Sequence, residues 1–570
     1  MKKLFSNTFE LNIVSLSVAV FLTLILTAAN VYFGLFAGMT ISASIPATVL
    51  GMGILKGVLR RNSLAEYNIV QSSASAGESL SAGIIFTIPG LVLLGHWQHF
   101  DWVLTTSIAI CGGVMGVVFM IPLRKSLIAD NPKLIFPEGV ACARVLETSA
   151  DRSGLQKILI FATGSGIVKF IFLVLRWPSG VISPLILNRF LIAPGFEFSS
   201  ALLGVGAIVG LGVSFTLLGG SLFAQALLAA FSFPQEIASD ELWRSIWQSK
   251  IRFIGAGAMA AGGTIALLEL IPEVLKNLRK KSNSIAKENL MLDKEIEKTD
   301  IGIFSRRFLL VSAMTGVWII NYNFLPDLIY SGLVTLGMTA LAFVLTYVAV
   351  LTVGLVGSSN SPVSGMTIFA LISAAIPVSL MGLPGYTGAL VLLGLSSCVC
   401  CAVCTSGDIA QDLKTGSILN LNPRRQQIAE LIGILAGAAI LAPTLNLLHD
   451  VYTIGQGLSA PQAHLFASLS KTLTAPASGS DVSEIIFYSA CISLIIYALI
   501  RILAKRKFPI LPFALGLYLP GSVCTTIFLG ALLVWFIHRR YPSSKNSTVL
   551  AASGAITGES LMGIAAAFFR

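Results

Sequence analysis

Three acidic residues stand where a carboxylate is costly. Glu78 lies in SASAGESLSAG (73–83), Asp408 in TSGDIAQDLKTG (405–416) and Glu559 in SGAITGESL (553–561), each in or beside a long apolar run. An ionised acid at the centre of a membrane helix costs roughly 2.5–3.5 kcal/mol on insertion scales. Desolvation favours the neutral form, so a small change of environment would load or release a proton. Glu78, Asp408 and Glu559 are therefore candidate proton-coupling groups. The structural alternative is a buried acceptor for the free N–H groups at a broken helix end. Asp412 follows Asp408 at i+4, on the same helical face. That pair reads either as a proton or cation site or as a solvated cytoplasmic loop.

Polar interruptions of apolar sequence supply the second set of candidates. LVGSSNSPVSGMTI (355–368) holds four serines, an asparagine, two glycines and a proline. Such a stretch cannot form an undistorted lipid-facing helix, and irregular backbone at membrane depth is tolerated only inside protein or along a cavity. Ser359, Asn360 and Ser361 are candidate substrate-lining groups. Asn30 and Tyr32 of TAANVYFGLFAGMTI (27–41) are their counterparts. Close packing of helices through small residues would account for the same composition.

Other chemistry finds less support. CVCCAVC (398–404) has CxxC spacing, yet no histidine lies near it and zinc sites normally join two such clusters. We read it as small residues for helix packing and expect no metal site. The five histidines form no ligand set, and no Walker A motif appears. No nucleophile–base set appears either, so catalytic residues and cofactors are expected to be none.

The elements that must carry these residues are membrane helices. Hydrophobic residues make up 55% of 570 and charged residues 11%, against roughly 25% charged in soluble domains. Mean hydropathy is +0.84, and apolar runs of about 20 residues, enough to cross a bilayer, recur throughout. The chain is an all-α polytopic membrane protein of about 14–16 membrane elements. The net charge of +11 is no nucleic-acid signal, because Lys and Arg sit mostly in short loops, as the positive-inside rule demands. Lys2, Lys3, Arg60, Arg61, Arg124 and Lys125 are expected in the cytoplasm and HWQHFDW (96–102) outside. The charged stretch 272–307 reads as a cytoplasmic linker between an N-terminal membrane half (1–271) and a C-terminal half (308–570). The apolar runs 199–232 and 508–537 are too long for one helix, and are expected to break at Gly219–Gly220 and Pro520–Gly521.

Internal repeats tie the acids together. GMTISASIP begins at Gly38 and GMTIFALIS at Gly365, and a glycine–acid pair follows each, Gly77–Glu78 and Gly407–Asp408. In a third copy GLY at Gly516 matches GLF at Gly34, Arg539–Arg540 matches Arg60–Arg61, and Glu559 matches Glu78. Repeats with broken hydrophobic segments are a mark of secondary transporters. A channel, or a lipid-handling membrane protein without ion coupling, is the alternative class.

The runs YNIVQSSASAGESLSAGIIFTIPGLVLLG (67–95), LIFPEGVACARVLE (134–147), VGSSNSPVSGMTI (356–368) and SGDIAQDLKTGSILNLNPRRQQIAELIG (406–433) resemble hallmarks of the oligopeptide transporter (OPT) family, in order along nearly the whole chain. The resemblance implies a proton-coupled importer of about sixteen segments. Its substrates would be short peptides or metal chelates, the latter as in the related yellow stripe-like branch. Neither an NPG nor a KIPPR motif is present, so the chain resembles bacterial members rather than the eukaryotic peptide branch. That implies a multi-pass protein of the bacterial inner membrane. Its partners would be a small-molecule substrate, protons and the lipid bilayer, with homo-oligomer formation left open.

Overall fold

The computed structural model describes residues 11–40, 42–129, 134–147, 152–174, 195–231 and 299–568, apart from 326, 359–360, 362, 384, 475–480 and 504–507, with parts of 181–193 and 246–265. Most of the charged linker lies outside the described residues, and so do Ser359 and Asn360.

Among the described residues twelve helices are long and apolar enough to cross a membrane. Three shorter apolar helices, Ser44–Val58, Ser200–Val209 and Phe253–Gly262, join them. Helix starts are set by local chemistry. Asn12 caps α1 (Ile13–Ala37), Ser63 caps α3 (Leu64–Ile85) and Asp101 caps α5 (Trp102–Arg124), each side-chain oxygen accepting from a first-turn N–H that has no helical partner. α1 stops at Gly38, whose φ of 71° is the left-handed conformation glycine adopts without strain. A short α2 (Ser44–Met52) then runs on into a π-helical turn, Gly53–Val58. α4 (Pro89–Leu93) lies between α3 and α5, and α6 (Pro137–Glu147) and α7 (Arg152–Val174) follow α5.

Short antiparallel strand pairs, Val181–Ile182 with Phe196–Glu197 and Leu185–Leu187 with Phe190–Ala193, precede α8 (Ser200–Val209) and α9 (Leu211–Phe231). The break between α8 and α9 falls at Gly210, with φ 85°, not at Gly219–Gly220 as expected. Gly220 is instead inside α9, where the absence of a Cβ lets the Phe513 carbonyl approach. The expected break at Pro520–Gly521 is found. It separates α17 (Ile510–Tyr518) from α18 (Gly521–Arg540), and α19 (Lys545–Phe568) follows.

Between these lie α10 (Ile303–Phe324), α11 (Leu328–Val356), α12 (Val363–Leu380), α13 (Gly385–Ile418), α14 (Pro423–Tyr452), α15 (Pro461–Thr474) and α16 (Asp481–Leu503). One order of elements, helix, interruption, helix, turn and acid-bearing helix, occurs three times: α1–α2–α3, α11–α12–α13 and α17–α18–α19. The twin GMTI words do not occupy equivalent places in it. Gly38–Thr40 lies in the interruption after α1, whereas Gly365–Ile368 is inside α12.

Burial sorts the helices by their side chains. α10 and α16 expose large apolar residues such as Phe308, Val311, Phe487 and Ile495, as lipid-facing helices do. α3 and α13 are nearly enclosed by protein; α3 is rich in Gly, Ala and Ser, and α13 in Gly, Ala, Ser and Cys. Those small residues let backbones meet. Gly77 of α3 faces the Gly433 carbonyl of α14, Gly433 faces the Ser73 carbonyl, and Gly112 of α5 lies against Cys398 and Cys401 of α13. The cysteine run therefore packs helices, and the described residues contain no cluster of His, Cys, Asp or Glu suited to a metal. α3 packs on α1, α13 and α14, while α19, α18 and α17 pack on α7, α8 and α9. Contact between α1 and α19 joins the two groups.

Candidate functional site

Glu78 and Asp408 face one narrow cavity, lined also by Asn30, Ser42, Ser358 and Ser361. The elements explain the convergence. α3 carries Glu78 past the interruption that separates α1 from α2, and α13 carries Asp408 past the interruption that separates α11 from α12. Asn30 Nδ2 donates to Glu78 Oε1 and to Ser81 Oγ, the latter at 3.0 Å. The Ala43 N–H, freed at the start of α2, donates to Glu78 Oε2 at 3.1 Å. Ser358 Oγ donates to Asp408 Oδ1. No Lys or Arg lines the cavity. Two carboxyl groups thus share a small, partly open cavity without a counter-charge on its wall, an arrangement that favours holding protons or a cationic group.

The solvated-loop reading of Asp408 and Asp412 is excluded. Both are buried within α13, Asp412 completely. One face of α6 packs into the protein through Gly139, Cys142, Ala143 and Leu146, while Pro137, Arg144 and Glu147 are exposed: the Gly139 N–H donates to Gln411 Oε1 at 2.8 Å, and Thr415 Oγ1 donates to the Gly139 carbonyl.

Glu559 occupies a different place. A second cavity shares Asn30, Ser42 and Glu78 with the first and reaches Ser553, Thr557 and Ser560 of α19. Glu559 itself is held at the start of α8. Ser199 Oγ donates to its Oε1 at 2.9 Å, and Ser200 Oγ and the Ala201 N–H donate to its Oε2 at 2.8 and 2.9 Å. Lys169 Nζ of α7 lies 3.5 Å from Oε1. Tyr32 is on the opposite face of α1 from Asn30. It stacks on Phe36, meets Tyr452 edge-on and lies beside Lys169. Of the sequence candidates, Asn30, Ser361, Glu78 and Asp408 come together. Tyr32 and Glu559 lie at the Lys169 cluster, and Ser359 and Asn360 are outside the described residues. Sequence reading missed Ser42, Ser358, Lys169 and the Ser199–Ala201 cap. A lone lysine in the apolar IVKFIF run (167–172) was the available signal for Lys169. Ser42 and Ser358 carried none, since serine is common at interruptions of any purpose.

Residues 10–570 match the family of OPT oligopeptide transporter proteins. The chain belongs to the OPT family. It is 31% identical to a protein of Haemophilus influenzae named "Putative oligopeptide transporter", over 94% of this chain and 92% of that one. It is 24% identical to the "Probable metal-nicotianamine transporter YSL5" of Oryza sativa subsp. japonica, over 95% of this chain and 89% of the plant protein. A further YSL relative, YSL4 of Arabidopsis thaliana, is 25% identical over 62% of this chain and 57% of that one. This OPT protein is a multi-pass membrane transporter.

Proposed function

We propose that this protein imports short peptides or metal chelates together with protons across the bacterial inner membrane. The supporting observation is the cavity between Glu78 and Asp408, where acids from two repeat units meet at two interrupted helices. In secondary transporters with broken helices, the site lies where repeats meet, and helix ends serve charged groups. Asn30 and Ser358 orient the carboxyl groups, Ser42 and Ser361 offer polar contacts to substrate, and the acids exchange protons as the cavity opens to either side. A wall with acids and no cation suits the amine end of a peptide or the metal centre of a chelate. The bacterial relative's printed name favours peptides and the plant relatives' names favour metal–nicotianamine.

The deciding experiment uses purified protein in sealed vesicles with labelled tetrapeptides, pentapeptides and iron chelates in parallel. Uptake above the outside concentration under an inward proton gradient, abolished by a protonophore, is the expected result. Equilibration without accumulation for every substrate would point to a channel and overturn the proton-coupled reading.

A further inference from the structure

A second pair of carboxyl groups lies beyond this cavity, toward the end of the bundle that carries Arg124 and Asp300. Asp412 and Glu430 are both fully enclosed. Asp412 is one turn, about 6 Å, beyond Asp408 along α13, and Glu430 is two turns into α14 from the same end of the bundle. Asp412 Oδ1 accepts from Gln71 Nε2 and, at 3.4 Å, from Ser44 Oγ. Among the described residues, Asp412 Oδ2 and both oxygens of Glu430 have no hydrogen-bond partner. An ionised carboxylate so placed would bear an uncompensated desolvation cost, while a neutral acid bears far less. The two helices meet at this point: Gln426, one turn before Glu430 on α14, donates Nε2 to the Asp412 carbonyl at 2.9 Å.

Hydroxyl groups link this pair to the cavity. Ser75 is one turn from Glu78 on α3, and its Oγ lies 2.8 Å from Ser44 Oγ, which in turn reaches Asp412. A hydroxyl both donates and accepts, so it can take a proton on one side and release one on the other. Beyond Glu430 the row ends at Asp300, which Arg124 Nε and Nη2 hold at 2.7 and 2.6 Å and which Gln427 Nε2 also reaches. The surrounding charged groups are Asp408 on α13, Glu138 on α6, the Asp300–Arg124 pair, and Arg61–Glu66 at the start of α3. Lys414 of α13 donates to the Ile128 carbonyl, and α1 carries no charged residue along its length.

We propose that Asp412 and Glu430 form the proton exit that carries protons from the Glu78–Asp408 cavity to the cytoplasm. The route rests on the proton-coupled reading above. A proton leaves the Glu78 or Asp408 carboxyl and enters the Ser75–Ser44 chain. That chain releases its own proton to Asp412, and Glu430 then receives it and gives it up to water at the cytoplasmic mouth near Arg124. Each step breaks one O–H bond and forms one, with no other reactant.

The test uses the full-length protein in vesicles with a labelled tetrapeptide as probe, and Glu430→Gln and Asp412→Asn beside the wild type. The expected result is that the wild type concentrates the peptide under an inward proton gradient. Each variant loses that accumulation, its inside-to-outside ratio falling to about one, yet still exchanges labelled for unlabelled peptide. Exchange shows that the variant is folded. A Glu430→Gln protein that concentrates peptide as the wild type does would overturn the route. Glu430→Asp keeps an acid and should restore part of the accumulation. A second readout needs no substrate: the infrared carboxylic-acid C=O band of the wild type should contain a component that shifts in heavy water and is missing in Glu430→Gln. Its absence overturns the route. A wild type that concentrates none of the labelled tetrapeptides, pentapeptides and iron chelates refutes the coupled reading and the route with it, whereas a wild type that concentrates one of them beside a Glu430→Gln protein that does so equally overturns the route alone.

Discussion

At the residue scale the central feature is that Glu78 is at once a buried acid and a helix-end acceptor. Asn30 and the Ala43 N–H hold its two oxygens, so the structural role and the proposed proton-carrying role fall on one group. Replacement separates them. Glu78→Gln keeps an oxygen for the Ala43 N–H but cannot be reprotonated. Accumulation driven by pH should vanish while substrate exchange across the membrane survives, as tracer counterflow in vesicles will measure. Asn30→Ala removes a hydrogen bond to a charged or chargeable partner, worth about 1.5 kcal/mol. It should slow uptake by about tenfold without abolishing coupling, which initial rates at several gradients will show. Glu197, just before α8 and outside the spanning helices, gives a pH signature of its own. Burial pushes its carboxyl up to about 7, partly offset by Lys169. The folded protein thus binds a proton that the unfolded chain has already lost between roughly pH 4.5 and 7, so stability falls as pH rises through that window. Thermal unfolding of Glu197→Gln in detergent should show a shallower fall over the same range.

At the element scale glycine and serine on α3 determine how close its neighbours come. Gly77 and Ser73 of α3 and Gly433 and Gly437 of α14 interleave backbone against backbone. This is the small-xxx-small pattern that membrane helices use where lipid supplies no hydrophobic force. Leucine at Gly433 would have to displace the Ser73 carbonyl. We expect Gly433→Leu to lower the thermal midpoint in detergent by several degrees or to leave little folded protein, as size-exclusion profiles will report. Gly57, which has open space around its Cα, should accept alanine with no such loss. The depth of Glu78 relative to Asp408 is set instead where α3 meets α13 directly, with Gly83 against the Cys401 backbone.

At the scale of the whole molecule, the loop charges predict an orientation. Arg60 and Arg124 lie at one end of their helices and Trp102 and His99 at the other. In sealed cells, Arg60→Cys should react with a membrane-impermeant thiol reagent only after permeabilisation, and His99→Cys without it. The opposite pattern would invert the direction of the proton exit. Seven of the eight native cysteines are buried, so background labelling should be low.

Composition and period alone determined that this chain is a bundle of membrane helices, because a bilayer leaves the backbone few other solutions. Repeated words flagged the acids Glu78, Asp408 and Glu559, since a carboxyl group in apolar sequence is conspicuous whatever surrounds it. Words did not decide their surroundings. Two GMTI runs fall in different elements, because a glycine stops a helix in one and packs inside a helix in the other. The break in 199–232 falls at Gly210 rather than Gly219–Gly220, because packing against α17 recruits Gly220 into a helix. Only tertiary structure joined Glu78 to Asp408, assigned Glu559 to the start of α8 beside Lys169, and enclosed Asp412 and Glu430. Each of those depends on which helices touch across hundreds of residues, and the free N–H groups and lone carboxyl oxygens that define the sites exist only once helix ends and neighbours are in place.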